Sequence, residues 1–477
     1  MATQRGGGVF APLGAGFSRK LVFRTLLILG ILVPGTYLAV RNRYFALLMY
    51  LWFALFRPQD WLWIDITPLR LSVVYGAILV VPALVASIYP NVSHPISVGM
   101  ILFFGTTVLA QVNAVRPDIG WTWVDFLLRL FVACLMLTTL AADVRRLYGV
   151  IAVLACSLGV HAAKAGLAYA LGGGMRFADG LAGAFVDNNG YALGTVMIMP
   201  LLLATAQNLE VLYRGRLVPY LRVGLYGSIL LCTLAVIGTF SRGGFLALSI
   251  GVLTLALLQR RRSKSLTAVL VLVGVFLLVV PIPQSYLDRV QTIRTYEEIG
   301  DDSALSRPHF WYVGVLMAAD HPFGIGLRQY ELLYDRYDFL HGRYGRGRAV
   351  HSAHVQVLAE SGYLGAAIWA ALFAYATWLC LRIRAQSYDE ALAPTDRHFL
   401  FTASNALLTS MVSFVVGGAF LSLALNDLTW LTFAMVAALD LLARRLREAA
   451  ERPAAGASAR DLNPFRAVPS YAKGAVA

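Results

Sequence analysis

The chain has 477 residues, of which 58% are hydrophobic and only 14% are charged. Soluble domains are close to half apolar and a quarter charged, so this composition excludes an ordinary soluble protein and indicates an integral membrane protein. The net charge of +14 does not indicate nucleic-acid binding, because many basic residues lie in short loops between apolar segments and form no patch interleaved with aromatic residues.

A helix that crosses a bilayer needs about 20 apolar residues, and we find roughly thirteen candidates along the chain. In order they are residues 21–40, 44–57, 71–90, 96–114, 123–142, 147–171, 189–207, 218–239, 243–259, 265–282, 354–382, 398–424 and 428–443. The predicted fold class is therefore all-α, a polytopic membrane protein with about 12–13 transmembrane helices. The four cysteines lie inside apolar runs, which predicts buried thiols and neither a disulfide nor a metal site.

Basic residues in the loops predict the orientation, because cytoplasmic loops carry an excess of Lys and Arg. With the run Arg260–Lys264 on the cytoplasmic side, residues 172–188, the connection Thr239–Gly244 and one large loop face the opposite side. An odd helix count leaves the orientation of the N-terminus open. We expect an N-terminal transmembrane bundle over residues 1–282, a large periplasmic loop over 283–353, C-terminal transmembrane helices over 354–447 and a disordered cytoplasmic tail over 448–477.

The first candidate site residues lie at the external ends of two helices. Asp187, Asn188 and Asn189 lie where an external loop becomes a helix, and Asp and Asn are favoured helix caps. Arg242, in "GTFSRGGFLALSIG", precedes a helix whose glycines permit close packing. An arginine at a membrane boundary either anchors a helix end by extending to the interface or faces an anion.

Arg307 lies in the segment "DDSALSRPHFWYVGVLMAADHPFGIG". Ser306 and Pro308 predict a helix start, which would place Arg307 at a helix N-terminus that favours anions. A surface salt bridge with Asp301 or Asp302 is the simpler alternative. The apolar residues that follow suggest a helix along the membrane surface, ended by His321-Pro322 and its glycines.

The segment "GRGRAVHSAHVQVLAESGYLG" joins an arginine-rich loop to a long apolar helix. We predict that His351 begins this helix, so that His351 and His354, three residues apart, share a face. Two histidines fall short of the three protein ligands of a usual metal site, and Glu360 lies on another part of the surface. His351 is a better candidate for a general base, because its pKa lies near the working pH.

Three external segments thus bring arginine and histidine to one membrane face. The planar guanidinium suits phosphate oxygens, and two of them suit a diphosphate. The sequence has no Walker A lysine, nucleotide-binding glycine motif or paired-aspartate metal motif. A phosphate-bearing substrate at an external membrane face is most simply a lipid.

These segments resemble the O-antigen ligase and polymerase superfamily. The resemblance rests on "FSRGGFLAL", "RPHFWYVGVLMAADHPFGIG" and "AVHSAHVQVLAESGYLG", which match its SRG-type arginine, its Arg-x-x-x-Trp segment before HPxxGxG, and the histidine stretch that ends its periplasmic loop. "FVDNNGYALGTVMIMPLL" and "GRGRAVHS" look more particularly like O-glycosylation ligases associated with the exosortase system. Residues 185–365 carry the resemblance, and Pro308 is unusual for the family.

The resemblance implies a GT-C-like, metal-independent glycosyltransferase without a cofactor, acting on glycan linked to undecaprenyl diphosphate at the periplasmic face of the bacterial inner membrane. Arg242 and Arg307 would hold the diphosphate, Arg348 would be a third contact to the diphosphate or the glycan, and His351 would activate or orient the acceptor hydroxyl. Asp187, Asn188, Asn189 and His354 would contact glycan or acceptor, unless the first three only cap a helix, and Glu360 would support packing.

Three functions remain open at this stage. A ligase would transfer a whole glycan to lipid A core, protein or another envelope acceptor, as in lipopolysaccharide biosynthesis. A polymerase would use the same donor site to extend an O-antigen or exopolysaccharide on the carrier. A flippase is disfavoured, because transporters place charge near the bilayer midplane and often have repeated halves.

Overall fold

A computed structural model describes residues 15–62, 66–174, 185, 187–258 and 302–451 of the chain. Within these ranges the backbone forms α-helices, short 3₁₀ turns and loops, and no β-strand. The helices are α1 Ala15–Arg41, α2 Arg43–Phe56, α3 Leu71–Val85, α4 Pro95–Ala110, α5 Pro117–Leu140, α6 Val144–Leu171, α7 Asn188–Gln207, α8 Val218–Gly238, α9 Arg242–Leu258, α10 Asp302–Asp320, α11 Tyr330–Tyr337, α12 Ala353–Gln386, α13 Pro394–Gly418 and α14 Asp427–Glu451.

Eight of the described helices are long and apolar enough to cross a membrane: α1, α4 (with the turn after it), α5, α6, α7, α8, α12 and α13. The prediction of an all-α polytopic membrane protein is therefore confirmed. Helices α2, α3 and α9 are apolar but have only 14, 15 and 17 residues, so they are short for a hydrocarbon core of about 30 Å. The predicted span 265–282 lies outside the described residues.

Capping side chains set several helix starts. The Oδ1 atom of Asp143 accepts the N–H of Arg146 at 2.9 Å and begins α6, and Nδ1 of His94 accepts the N–H of Ile96 at 3.2 Å and begins α4. Each cap satisfies a backbone donor that a helix start leaves without a partner. Three of the four cysteines, Cys134, Cys232 and Cys380, are buried, and Cys156 is half-buried.

Helix α7 forms the centre of the bundle and packs against α6, α8, α9 and α13. Nearly all of its side chains are buried. Small residues allow close helix contacts: a Cβ at Gly166 of α6 would lie 1.8 Å from the backbone oxygen of Leu231 in α8. The frame that carries the ends of α7 and α9 is therefore tightly packed.

Helices α10 and α11 belong to the predicted large loop and build a separate small core against the start of α12. Its buried members include Phe310, Val313, Tyr334 and Val350. The predicted helix start at Ser306 is wrong, because α10 already begins at Asp302 in the described residues.

Two other predicted boundaries change. The span predicted over 398–424 ends at Gly418, and a loop then runs to Asn426 before α14 begins. Helix α14 continues to Glu451, so the predicted tail is helical over its first four residues. The rest of that tail, residues 452–477, lies outside the described residues.

Candidate active site

A kink in α12 joins this helix to the loop that follows α10. Gly362 has φ 72° and ψ −175° inside α12, which breaks the helical hydrogen-bond pattern. The carbonyls of Ala359 and Glu360 instead accept the N–H groups of Ile325 and Gly326 at 3.0 and 3.1 Å. Glycine is needed in both HPFGIG and ESG, because the backbones of these two segments lie in direct contact.

His351 lies immediately before α12. Ser352 caps the helix through a 3.3 Å bond from the N–H of Val355, and His351 has a left-handed φ of 49°. Its N–H donates to Oγ of Ser422 at 3.0 Å, and its carbonyl faces Nε1 of Trp311 at 3.5 Å. The prediction that His351 begins the helix and shares a face with His354 is wrong, because the capping serine turns the chain between them.

One face of α10 points at a single phenylalanine. Arg307 and Trp311 are four residues apart and therefore lie on the same side of the helix. The guanidinium carbon of Arg307 is 5.4 Å from the ring centre of Phe420, and the Trp311 ring is 6.3 Å from it. Arg307 lies within α10 and not at its first residue. The alternative salt bridge with Asp301 or Asp302 concerns side chains outside the described part of the chain.

The start of α9 reaches the same phenylalanine. Phe240 has a left-handed φ of 55°, and Oγ of Ser241 accepts the N–H of Gly244 at 3.1 Å, so Arg242 is the first helical residue. A Cβ on Gly243 would lie 3.6 Å from Cβ of Phe420. Arg242 is half-buried, and the next residue, Gly243, lies beside the phenylalanine whose ring Arg307 covers.

The start of α7 completes this end of the bundle. Asp187 caps α7 by accepting the N–H groups of Asn189 and Gly190, both at 2.9 Å. The side-chain amide of Asn188 donates to the carbonyl of Thr239 at 2.8 Å, just before Arg242. Capping is therefore the role that the contacts of Asp187 give it, and Asn188 ties α7 to the arginine-bearing turn.

Charged side chains from several of these segments affect the pKa of His351. Burial lowers the pKa of His351 below its usual 6.5, and the positive charges of Arg307 and Arg348 lower it further, while Asp187 opposes them. The imidazole is therefore neutral near pH 7 and able to accept a proton. Arg307, Arg348 and Asp187 are therefore each close enough to His351 to affect its charge.

A buried pair holds the loop that carries Arg348. Nε2 of His309 lies 2.9 Å from Oδ1 of Asp338, and both residues are buried, at 7% exposed. Burial opposes ionisation of Asp338, but the N–H groups of Gly342 and Leu340, together with His309, outweigh it and lower the pKa of Asp338. This pair fixes the turn that leads to the arginines.

Arg348 itself is exposed. Its guanidinium carbon lies 5.9 Å from the ring centre of Phe310, and that ring is also 5.9 Å from the His351 ring. Phe310 adjoins His309 on α10, so the loop anchor and the arginine contact lie side by side. Arg348 thus approaches His351 from the solvent side.

His354 has a different environment. Its Nε2 lies 2.9 Å from the carbonyl of Val415 in α13, and its Nδ1 accepts Nε1–H of Trp369 at 3.1 Å. Both ring nitrogens are thus engaged in helix packing. The structure does not bring His354 to the arginines.

The described residues contain no group of three or more His, Cys, Asp or Glu side chains arranged to hold a metal ion. Glu360 is buried, and its Oε2 accepts Nε2–H of Gln356 at 3.1 Å. It lies two residues before the kink at Gly362.

Sequence reasoning missed Phe420 and Ser422, which contact Arg307 and the backbone of His351. They lie in the loop between α13 and α14, inside a segment predicted to be transmembrane. The signals for a loop were the pair Gly417-Gly418, typical of a helix end, and Asn426-Asp427, typical of a helix start.

Two family models match the chain. One is described as O-Antigen ligase and matches residues 227–370. The other is described as a family of unknown function (DUF5935) and matches residues 23–209. No curated protein matches. The first match confirms the resemblance to the O-antigen ligase and polymerase superfamily, and supports a ligase-type glycosyltransferase in general terms. It does not bear on the closer resemblance to exosortase-associated enzymes.

Proposed function

We propose that this chain, a multi-pass member of the O-antigen ligase and polymerase superfamily, transfers a glycan from undecaprenyl diphosphate to an acceptor hydroxyl. The acceptor is lipid A core or another component of the cell envelope. The reaction takes place at the periplasmic face of the inner membrane. Arg242, Arg307 and Arg348 bind the donor diphosphate, and His351 is the catalytic base.

The observation that carries this proposal is the meeting of α9, α10 and the loop before α12 around Phe420 and His351. Arg307 covers the Phe420 ring at 5.4 Å, and the first turn of α9, which begins with Arg242, packs against the same residue. Two guanidinium groups on rigid helices match the two phosphates of a diphosphate. A neutral imidazole beside them can accept the proton that the acceptor hydroxyl loses.

The chemistry balances without a further reactant. The acceptor oxygen attacks the anomeric carbon, the bond from that carbon to the diphosphate oxygen breaks, and the configuration inverts. His351 takes the proton of the hydroxyl. The diphosphate leaves with an added negative charge, which the arginines stabilise as it develops. Magnesium supplies this stabilisation in many phosphate-handling enzymes, so the arginines support a metal-independent reaction.

The positions of other charges support the proposed orientation. Asp440 is fully buried and paired with Arg382 and Arg444. These residues lie near the C-terminal ends of α12 and α14, whereas His351 and Ser422 lie just before the N-terminal ends of those helices. The arginine-rich ends correspond to the loops that the positive-inside rule assigns to the cytoplasm.

A reconstituted reaction tests the proposal. Purified protein, undecaprenyl-diphosphate-linked glycan and lipid A core should yield glycosylated lipid A core, and His351→Ala should abolish the product while the protein stays folded and inserted. Normal turnover by His351→Ala would refute the role of this residue. A longer glycan still on the carrier would identify a polymerase, and movement of intact donor between leaflets would identify a flippase.

A further inference from the structure

A cavity lies beside the proposed active site and shares a wall with it. Val350 and Ser422 line this cavity of about 240 Å³. Val350 directly precedes His351, and Ser422 accepts the N–H of His351 at 3.0 Å. The backbone of His351 therefore lies directly beside the cavity wall.

Besides Val350 and Ser422, three parts of the chain form the cavity walls. Trp123 belongs to the first turns of α5, Arg328 and Glu331 follow the HPFGIG loop, and Gln356 and Glu360 belong to α12 before its kink. The cavity therefore differs from a surface groove on one helix, because segments distant in sequence form its walls.

Its polar side chains are held in place by the protein itself. Glu360 is 3% exposed and accepts Nε2–H of Gln356 at 3.1 Å. Gln356 in turn accepts the N–H of Ala424 at 3.3 Å. The guanidinium carbon of Arg328 lies 5.0 Å from the ring centre of Trp123. Donors and acceptors thus have fixed positions before any ligand binds.

The backbone around Arg328 is fixed as well. Gln329 is fully buried; its Oε1 accepts the N–H of Arg116 at 2.8 Å, and its Nε2 donates to the carbonyl of Arg116 at 3.1 Å. Asn113 also donates to the carbonyl of Gly324 at 2.9 Å. The turn before α5 and the HPFGIG loop therefore form one rigid wall.

The chemistry of the lining favours an uncharged polyol. Two carboxylates, one amide and one guanidinium provide acceptors and donors in turn, as sugar hydroxyls require, since each hydroxyl both donates and accepts. Trp123 provides an apolar wall for the C–H face of a ring. Glu360 is buried and Glu331 is exposed, so a phosphate in the cavity would be buried beside an acidic group with one arginine to offset its charge, which disfavours a phosphate.

The volume indicates one ring. Sites for drug-sized ligands usually have about 300–1,000 Å³, and this cavity is smaller. At about 30 Å³ per water molecule it corresponds to roughly eight waters. A single pyranose matches that size.

We infer that this cavity is a subsite for one uncharged sugar ring of the acceptor, which it holds next to His351. The inference rests on the proposed function and narrows it, because it requires an acceptor that carries sugar. In an inverting displacement the acceptor and the leaving diphosphate lie on opposite sides of the anomeric carbon. Arg307 contacts Phe420 and the cavity is lined by Ser422, so the two substrates would flank the 420–422 segment.

Filling the rim of the cavity tests the inference. Leu332 lines the cavity and is 47% exposed, so Leu332→Trp adds volume at the rim without overpacking a core. Leu364→Trp is the matched control, because Leu364 is 54% exposed and lies outside the cavity lining. Glu360→Gln replaces the buried carboxyl group by an amide of nearly the same shape.

The first readout is binding, measured with the full chain in detergent by saturation-transfer NMR on methyl pyranosides. We expect signals with wild type, Leu364→Trp and His351→Asn, and their loss with Leu332→Trp and Glu360→Gln. No signal with wild type for any pyranoside, or an undiminished signal with Leu332→Trp, would overturn the subsite.

The second readout is transfer to lipid A core. Leu332→Trp should raise the KM for the acceptor at least about tenfold, with the KM for the donor within twofold of wild type. An unchanged acceptor KM, or efficient transfer to a sugar-free protein acceptor, would overturn the inference. A wild-type protein that transfers no glycan would sink the proposed function instead, and the pyranoside binding data would still decide the subsite.

Discussion

The backbone junction at Gly362 offers the sharpest test of the architecture that supports the site. Replacing Gly362 by Ala adds one methyl group, which would lie 2.2 Å from the carbonyl oxygen of Pro322 and 2.5 Å from the carbonyl carbon of Phe323. Both neighbours are backbone atoms, so neither can move aside as a flexible side chain would. The HPFGIG loop must therefore separate from the kink of α12.

The cost follows from two contributions. A residue with a Cβ at φ 72° and ψ −175° occupies a region that is essentially restricted to glycine, at about 1–3 kcal/mol. Separation also breaks three backbone hydrogen bonds between residues 322–326 and 359–363, each worth about 0.5–1.5 kcal/mol. The free energy of unfolding should fall by about 3–7 kcal/mol, a large part of the roughly 5–15 kcal/mol of a typical domain.

Thermal unfolding of the detergent-purified protein measures this loss. We expect Gly362→Ala to lower Tm by at least about 4 °C, or to prevent recovery of monodisperse protein. Gly105→Ala is the matched control, because a Cβ there meets no atom within 4 Å and alanine favours the helix by up to about 1 kcal/mol. If Gly362→Ala kept the Tm and the transfer activity of wild type, the claim that close backbone contact at Gly362 supports the site would be refuted.

Two further predictions concern the chemistry. With limiting donor, the acid limb of kcat/KM reports the pKa of His351 in the free enzyme, because only neutral imidazole accepts the proton. Arg348 lowers this pKa and Asp187 raises it, so Arg348→Ala should move the acid limb to higher pH and Asp187→Asn to lower pH. An acid limb at the same pH in wild type, Arg348→Ala and Asp187→Asn would exclude His351 as the titrating group. A chelator such as EDTA should leave the transfer rate unchanged, and loss of activity that magnesium restores would contradict arginine-based stabilisation of the diphosphate.

The transmembrane character could be predicted from sequence because hydropathy is a local property. A run of about 20 apolar residues needs a bilayer whatever its neighbours are, and eight described helices meet that requirement. Boundaries were harder: the span 398–424 is apolar throughout, but the helix ends at Gly418. The residues beyond it fold back because Ser422 and Phe420 find partners in α10 and before α12.

The candidate site was predicted in part. Arg242, Arg307 and His351 could be selected because polar groups at a membrane boundary are costly unless they bind something. The left-handed conformation of His351 could not be predicted from the sequence, because it depends on Ser422, which is 71 residues away. His354 has the same residue type and nearly the same position, and only the contacts of its ring with Val415 and Trp369 distinguish it from His351.

Binding of undecaprenyl diphosphate tests the central claim most directly. Charged hydrogen bonds are worth about 1.5–3 kcal/mol, so Arg242→Ala and Arg307→Ala should each weaken binding about ten- to a hundredfold. His351→Asn should bind within about threefold of wild type, because asparagine tolerates the left-handed backbone of this position and the imidazole acts on the acceptor. Wild-type affinity in both arginine variants would contradict a diphosphate site formed by α9 and α10.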